Sequence, residues 1–429
     1  MAEREEPHIL VISHNIFSPV TAMGKSLMSM FSGVRRENIA QLFFHSEIPT
    51  SDICTNYFRI TDENVLKSIF TRKPLYRIYG SDDIKKKTVN PRTDTGITAR
   101  IYQMARKKTA LNYLVRDLGW KMGIWNSAEL NRWVSNFSPN VIFFASGDYV
   151  FSYRIAYVIS KKFGIPIVFW CCDDYYIRRK KKSLLGKIHY NSLMKWARLV
   201  SERSKEMIVI SDKMKKDYSE IFKCSITVLR ISAEENPFSI PFDKRNGIVY
   251  VGGLGVNRMA PIMELGREMK KQAPSQYIDV YSNDKNSEIK ATLTEENGFR
   301  FHGGASAEEV SQIIGKAKFV LHTEAFDDKS KQRTRYSLST KTGESLRSGA
   351  CIIAYGPGDI SSIEYLADSD AAIILKSATE LPQIVTDNSA GGCEKCTRCI
   401  NNALALAEIN HDRRKNEEAI NTIFESAIS

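Results

Sequence analysis

No stretch of this sequence is apolar for long enough to cross a membrane. The longest such runs, Val141 to Ala145 and Ile165 to Cys172, are strand-length, whereas a spanning helix needs roughly 20 residues. A secretory leader is missing too: Met1-Ala2-Glu3-Arg4-Glu5-Glu6 is acidic and runs straight into a strand. A cytoplasmic protein is therefore expected. The chain has no internal repeat, no low-complexity tract and no Asp-X-Asp placed as a metal clamp. Its net charge of +12 calls for an anionic partner or surface: nucleotide, phospholipid or nucleic acid. Nucleic acid is not expected, because no zinc-finger, helix-turn-helix or RNA-binding signature accompanies the charge. Cys393, Cys396 and Cys399 are evenly spaced but lack a fourth ligand. His411 is distant in sequence, and Ala403 stands where an iron–sulfur pattern would want its next cysteine. Free thiols near a helix start are expected there, and no metal. Of the eight cysteines, several sit inside apolar strands, where a reduced thiol behaves as a small hydrophobe.

What is present belongs to a soluble globular chain of 43% hydrophobic and 26% charged residues. At 429 residues it predicts two domains of roughly 200 residues each. Short β-rich runs alternate with helical stretches. Strands are predicted at 8–13, 39–44, 141–145, 165–170, 206–211 and 226–230, then at 247–253, 277–281, 299–301, 319–322, 351–355 and 371–375. Residues 60–110, with Lys85-Lys86-Lys87 and Arg106-Lys107-Lys108, read as peripheral loops and helices. The polar stretch 232–246, with Pro237, Pro241 and Arg245, reads as a linker. Strand–helix alternation implies parallel sheets covered on both faces. The expected fold is α/β, with two Rossmann-like domains facing across a cleft. Predicted bounds are 1–235 for an acceptor-side domain, 236–405 for a nucleotide-sugar-binding domain, and 406–429 for a helix crossing back to the first. Sites are expected at the carboxyl ends of strands.

The most informative stretch is Ser337 to Gly356. It reads as a polar loop, a short helix, a glycine stop and a buried strand. Ser339 and Thr340 suit a helix N-cap, and free backbone N–H groups there favour an anion. Lys341 adds a point charge in the first turn, and Glu344 is a carboxylate placed to take two ribose hydroxyls. Together they suggest a nucleoside diphosphate; the alternative is an ordinary capped helix with a solvent-facing Lys and Glu.

Taken in order, the segments resemble a GT-B glycosyltransferase, most of all the family 4 group of retaining enzymes. The pieces are Pro139-Asn140-Val141-Ile142, Gly164-Ile165-Pro166-Ile167-Val168, Met207-Ile208-Val209-Ile210-Ser211, Val249-Tyr250-Val251-Gly252-Gly253-Leu254 and Lys341-Thr342-Gly343-Glu344. Ser339-Thr340-Lys341 matches the "STK..E" version of the last piece. Two positions depart: Tyr336 stands where the family commonly places the first of two glutamates, and Gly253 replaces the common Arg.

The resemblance implies transfer of a sugar from a nucleoside diphosphate sugar to a glycan or lipid-linked glycan, with retention, in bacterial surface polysaccharide synthesis. It also implies no metal or other cofactor. Arg258 and Lys341 are the candidates for stabilising the departing diphosphate, and Asp173, preferred to Asp174, for orienting the acceptor hydroxyl. Glu344, Ser339, Thr340, Gly252 and Gly253 are the candidate donor contacts. His322 and Glu324, at a strand end, are candidates for base or sugar contact, with packing as the alternative. His14, Asn15 and Gly24 are the acceptor-side candidates. The basic, amphipathic 178–198 segment fits an anionic membrane, which would make the protein peripheral at the inner face of the plasma membrane; a solvated helix packing its apolar stripe on the domain is the alternative. A sugar-nucleotide epimerase and a non-catalytic glycosyltransferase-like subunit are the competing functions.

Overall fold

The structure is a computed structural model and describes residues 6–85, 109–177, 183–233, 240–284, 286–387 and 393–429. The basic runs at 86–87, 106–108 and 178–182, and Pro237 of the linker, lie outside the described residues. The chain divides into two compact units. Unit 1 comprises Met1–Ile210, Met214–Leu229 and Glu417–Ser429; unit 2 comprises Ser211–Lys213 and Arg230–Asn416.

Unit 1 is built on β1 (Ile9–Ser13), α1 (Ala22–Met30), β2 (Ile39–Phe43), β3 (Asn56–Arg59), α2 (Asp62–Thr71), β4 (Arg77–Tyr79) and α3 (Ser81–Lys85). These are followed by α4 (Ala110–Met122), α5 (Ala128–Phe137), β5 (Val141–Ala145), α6 (Val150–Phe163), β6 (Ile167–Cys171), α7 (Leu184–Glu202), β7 (Ser204–Val209), α8 (Asp212–Ser219) and β8 (Ser225–Val228). The eight strands form one sheet in the order β4-β3-β2-β1-β5-β6-β7-β8. All pairs are parallel except the edge pair β3–β4, which is antiparallel. Strands β1, β2, β5 and β6 are buried along their whole length, as expected where helices cover both faces of a parallel sheet.

Unit 2 contains β9 (Asn246–Val251), α9 (Met259–Gln272), β10 (Ile278–Tyr281), α10 (Ser287–Thr292), β11 (Phe299–Gly303), α11 (Ala307–Lys316), β12 (Ala317–Thr323), α12 (Asp328–Thr334) and α13 (Thr340–Arg347). It continues through β13 (Cys351–Tyr355), α14 (Ser361–Asp368), β14 (Ile373–Ile374), α15 (Leu381–Asp387), α16 (Glu394–Asn410) and α17 (Arg413–Ile428). Its sheet is wholly parallel, in the order β11-β10-β9-β12-β13-β14.

The last helix, α17, belongs to both units: from Glu417 onward it packs in unit 1. There Phe424 stacks on Phe31, 5.9 Å between centroids, and meets Phe143 edge-on at 6.1 Å. Ile420, Phe424 and Ala427 are core residues alongside Ile9, Val11 and Phe143.

Two segments differ from the sequence reading. Residues 60–85 are not merely peripheral: α2 begins with a capping box between Thr61 and Asn64, and β4 extends the sheet. Arg245 of the linker is buried. It donates from Nε to the Ile240 carbonyl at 2.8 Å, and a Cβ on Gly349 (φ +71) would lie 2.8 Å from its guanidinium.

Candidate functional site

Strand order selects the places where a ligand can reach the backbone. In an open α/β sheet the crevice forms at the carboxyl ends of two neighbouring strands whose connections leave in opposite directions. In unit 2 those strands are β9 and β12, paired through Ile248↔Phe319 and Val249↔Val320. Gly252 and Gly253 follow β9, and Glu324 follows β12.

Arg258, at the start of α9, donates from Nη2 to Glu324 Oε1 at 2.9 Å. Glu324 is 2% exposed, and its Oε2 is buried without a hydrogen-bond partner. Gly356 makes room for this carboxylate's backbone, since a Cβ there would approach the Glu324 Cβ and backbone to 3.0–3.2 Å. His322 faces the same pair electrostatically. Burial lowers its basicity, the Glu324 charge opposing and the Arg258 charge assisting, so it is the neutral imidazole that meets Ser362 Oγ at 2.9 Å. The structure thus gathers Arg258, His322 and Glu324, and gives His322 a helix-facing contact as well. The Tyr250 hydroxyl donates to the Gly253 carbonyl at 2.9 Å, and burial pushes its phenol up to about 12. At Gly253 and Gly255 a Cβ would meet nothing within 4 Å, so no packing constraint accounts for glycine there. Val256 and Asn257, directly before Arg258, both adopt φ +55°, a strained conformation for a β-branched residue.

A βαβ crossover returns its helix antiparallel to the strands, which puts the N-terminus of α13 at the same carboxyl edge of the sheet. Ser339 is the N-cap and accepts from the Lys341 N–H at 3.2 Å; Thr340 is the first helical residue. Lys341 Nζ lies 3.0 and 2.9 Å from the two Glu344 carboxylate oxygens, so the two candidates neutralise each other. Gly343 serves packing: a Cβ would lie 2.8 Å from His411 Nδ1 and 3.1 Å from Ala233 Cβ. His411 is held between the Ile231 carbonyl at 2.9 Å and the Tyr365 hydroxyl at 3.1 Å. Those partners fix the tautomer with the proton on Nδ1, and burial lowers the pKa to about 4. Tyr336 is 2% exposed, with the Arg335 guanidinium 5.1 Å from its ring centroid.

The corresponding strands of unit 1 are β1 and β5. His14, after β1, lies 4.5 Å from the Tyr149 ring and 5.6 Å from His45. Asp148, after β5, accepts from the Tyr113 hydroxyl at 3.0 Å, and Tyr113 stacks on His189 at 4.6 Å. The Arg116 guanidinium covers Tyr149 at 3.9 Å. Asp148, Tyr113, Tyr149 and His189 were missed in the sequence; the polar Ser146-Gly147-Asp148-Tyr149 at the end of a buried strand was the available signal.

Asp174 is buried and accepts from the Tyr176 and Ile177 amides and the Tyr218 hydroxyl, a structural role that leaves Asp173 the more accessible carboxylate. The Asn15 carbonyl accepts from Ser13 Oγ and Gln41 Nε2. Gly24 is a packing glycine: its N–H is taken by the N-cap Thr21, and a Cβ would press on Ser18 at 2.6 Å.

Cys393 caps α16 and accepts the Cys396 amide. Cys396 and Cys399 are buried. The neighbouring Cys351 thiol lowers the pKa of Cys396. Among the described residues no group of three His, Cys, Asp or Glu side chains is placed to hold a metal ion, and no helix is long and apolar enough to cross a membrane.

With two units each built on a largely parallel, helix-covered sheet, the chain has the GT-B fold. The chain is similar in structure to Anabaena Alr3699/HepE in complex with UDP and glucose (11% identity, 97% of this chain and 98% of that one, TM-score 0.59). It is likewise similar to sucrose-phosphate synthase of Thermosynechococcus elongatus (12%, 98% of both chains, 0.61) and to the UDP-forming trehalose-phosphate synthase of Burkholderia vietnamiensis (9%, 98% and 100%, 0.59). No family model and no curated protein sequence matches the chain.

Proposed function

We propose that this chain is a glycosyltransferase that takes a nucleoside diphosphate sugar at the carboxyl edge of the unit 2 sheet and transfers the sugar to a glycan or lipid-linked acceptor held by unit 1. The supporting observation is the Lys341–Glu344 pair on the first turn of a Ser339-capped helix. A partly exposed pair at this spacing is worth about 0.3–0.5 kcal/mol. A charge-assisted hydrogen bond is worth about 1.5–3 kcal/mol, so exchanging the pair for a phosphate on Lys341 and a ribose on Glu344 is favourable. Arg258, Lys341 and the helix N-terminus would then stabilise the charge that builds on the departing diphosphate. Gly252 and Gly253 would let the backbone approach it, while His322 and Glu324 line the floor of the site. In unit 1, His14, Asn15 and Asp173 would meet the acceptor, with Asp148 beside them. Uridine diphosphate sugars are the first donors to test, given the UDP bound by the HepE protein, and retention of configuration with no metal requirement is the chemistry proposed. Bacterial surface polysaccharide synthesis at the inner face of the plasma membrane is the proposed setting.

The test is a thermal-shift panel of nucleotide sugars on the full chain, repeated with Lys341→Ala and Glu344→Ala. A ligand at 100 times its Kd stabilises the fold by about 2.7 kcal/mol. The parent shift should vanish in both variants; an undiminished shift in both would place the donor elsewhere and overturn the assignment.

A further inference from the structure

Helix α4 is folded the wrong way round for a helix in water. Its inward side carries Tyr113, Asp117 and Trp120, all buried. Asp117 is paired there with Arg154 and Lys121, and Arg116 reaches Asp62 at 2.8 Å. Its outward side carries Leu111, Val115, Leu118 and Met122, at i, i+4, i+7 and i+11, each 55–60% exposed. Charges that could have faced solvent are turned in, and aliphatic side chains that could have been buried are turned out.

The neighbours continue the pattern. Helix α2 packs on α4, with Leu66 in contact distance of the Gly119 position, and presents Leu66 and Phe70, the latter 86% exposed. Helix α7 packs on the other partner surface of α4 through the Tyr113–His189 stack, and exposes Leu184, Leu185 and Ile188 in its first turns. Its later apolar residues, Leu193, Met194, Ala197 and Val200, are buried against unit 1, so within the described part of the amphipathic segment expected at 178–198 the apolar stripe is exposed only at its start. Nine of the fourteen large exposed hydrophobics of the described residues lie on these three helices, a concentration that a monomeric soluble surface rarely carries. Basic residues accompany them: Lys67, Arg72, Lys73, Lys121 and Lys187 are exposed; the acid among them, Glu63, is paired with Lys67, and Asp117 is buried on the inward side of α4.

We infer that the outward face of α2, α4 and the start of α7 is a membrane-docking surface that inserts its aliphatic and aromatic side chains among the lipids of an anionic bilayer. The inference is independent of the donor chemistry. The occupant follows from charge: apolar side chains interspersed with lysine and arginine suit the headgroup boundary of an anionic leaflet, and the chain's net charge of +12 favours the same partner at longer range.

The experiment is co-sedimentation of the full-length protein with phosphatidylglycerol–phosphatidylcholine vesicles and with pure phosphatidylcholine vesicles. It compares the parent, Val115→Asp/Leu118→Asp, Phe70→Ser, and the control Ile409→Asp, an exposed position on α16. The parent and the control should bind the anionic vesicles, and bind at least tenfold more weakly to the neutral ones. The Val115/Leu118 double variant should lose at least tenfold in partitioning, with Phe70→Ser between. Circular dichroism checks that each variant is folded; should the double variant misfold, Phe70→Ser decides alone. Parent protein that ignores anionic vesicles, or variants that bind like the parent, would overturn the inference. A parent dimer that the Val115/Leu118 variant converts to monomer, without vesicle binding by either, would also overturn it by assigning the face to a second copy.

Discussion

Removing the Arg258 guanidinium separates what this residue does for the fold from what it does for the reaction. Glu324 is almost fully buried and its Oε1 relies on Arg258. In Arg258→Met the carboxylate keeps its burial and loses its counter-charge. Stranding one member of a fully buried pair costs about 3–5 kcal/mol. Because the Arg258 side chain retains 21% exposure, water screens part of this, and roughly 2–3 kcal/mol is expected. For a unit of this size each kcal/mol moves Tm by about 2–4 °C, so a drop of roughly 4–12 °C follows. Adding Glu324→Gln removes the stranded charge and should recover most of that stability. It should not recover turnover, because a methionine cannot stabilise a departing diphosphate. Thermal unfolding of the parent, both single variants and the double variant, alongside release of nucleotide from a donor identified by thermal shift, reads both quantities. A double variant as unstable as Arg258→Met would refute the buried-charge argument, and a double variant with restored turnover would refute the role at the phosphate.

Further outcomes are expected. Gly343→Ala should lower Tm, since overpacking against His411 and Ala233 costs about 1–3 kcal/mol and disturbs the His411–Ile231 bond, against a helix-propensity gain of about 1 kcal/mol; an unchanged or raised Tm contradicts the close approach. His411 has its pKa lowered from 6.5 to about 4 by burial, so the unfolded chain takes up its proton first as pH falls. Its contribution is complete above pH 6.5 and is lost as pH drops from 6.5 towards 4, by roughly 3 kcal/mol in all; His411→Asn should flatten that part of a Tm-against-pH curve, and an identical curve refutes the assignment. Asp148→Asn should weaken acceptor use about tenfold, as expected for a lost hydrogen bond to a charged group, with the donor thermal shift unchanged; loss of donor binding would contradict its place in unit 1.

Much of the fold was legible because parallel strands buried on both faces leave uninterrupted apolar runs. Ile9-Leu10-Val11-Ile12 and Val141-Ile142-Phe143-Phe144 cannot be mistaken for loops. The edge strand β4 left no such trace: of Arg77, Ile78 and Tyr79 only the last is buried, and three residues carry no period. The cap at Ser339 was visible because a serine directly before Thr-Lys-Thr-Gly-Glu suits an N-cap, whereas the ion pair between Lys341 and Glu344 depends on rotamers that sequence does not specify. Gly24 was misleading in kind. A glycine near a helix start looks the same whether it admits a phosphate or, as here, the backbone of Ser18. Asp148 was invisible until the strand order was known, since only the adjacency of β1 and β5 brings it near His14. Helix α4 was not among the elements read from the sequence, and its periodic aliphatic stripe of Leu111, Val115, Leu118 and Met122 faces outward.

The passage of α17 from one unit into the other orders the folding of the chain in time. Most of unit 1 precedes unit 2 along the chain, yet the aromatic cluster of Phe31 and Phe143 stays open until Phe424 has been translated. Unit 2, whose strands lie between Asn246 and Ile374 and whose core is covered by α16 up to Asn410, is complete in sequence before Phe424. The half made first is therefore the half finished last, and the interval in which nascent unit 1 exposes its unfilled core, the period of greatest demand for chaperones, lasts as long as the synthesis of everything downstream.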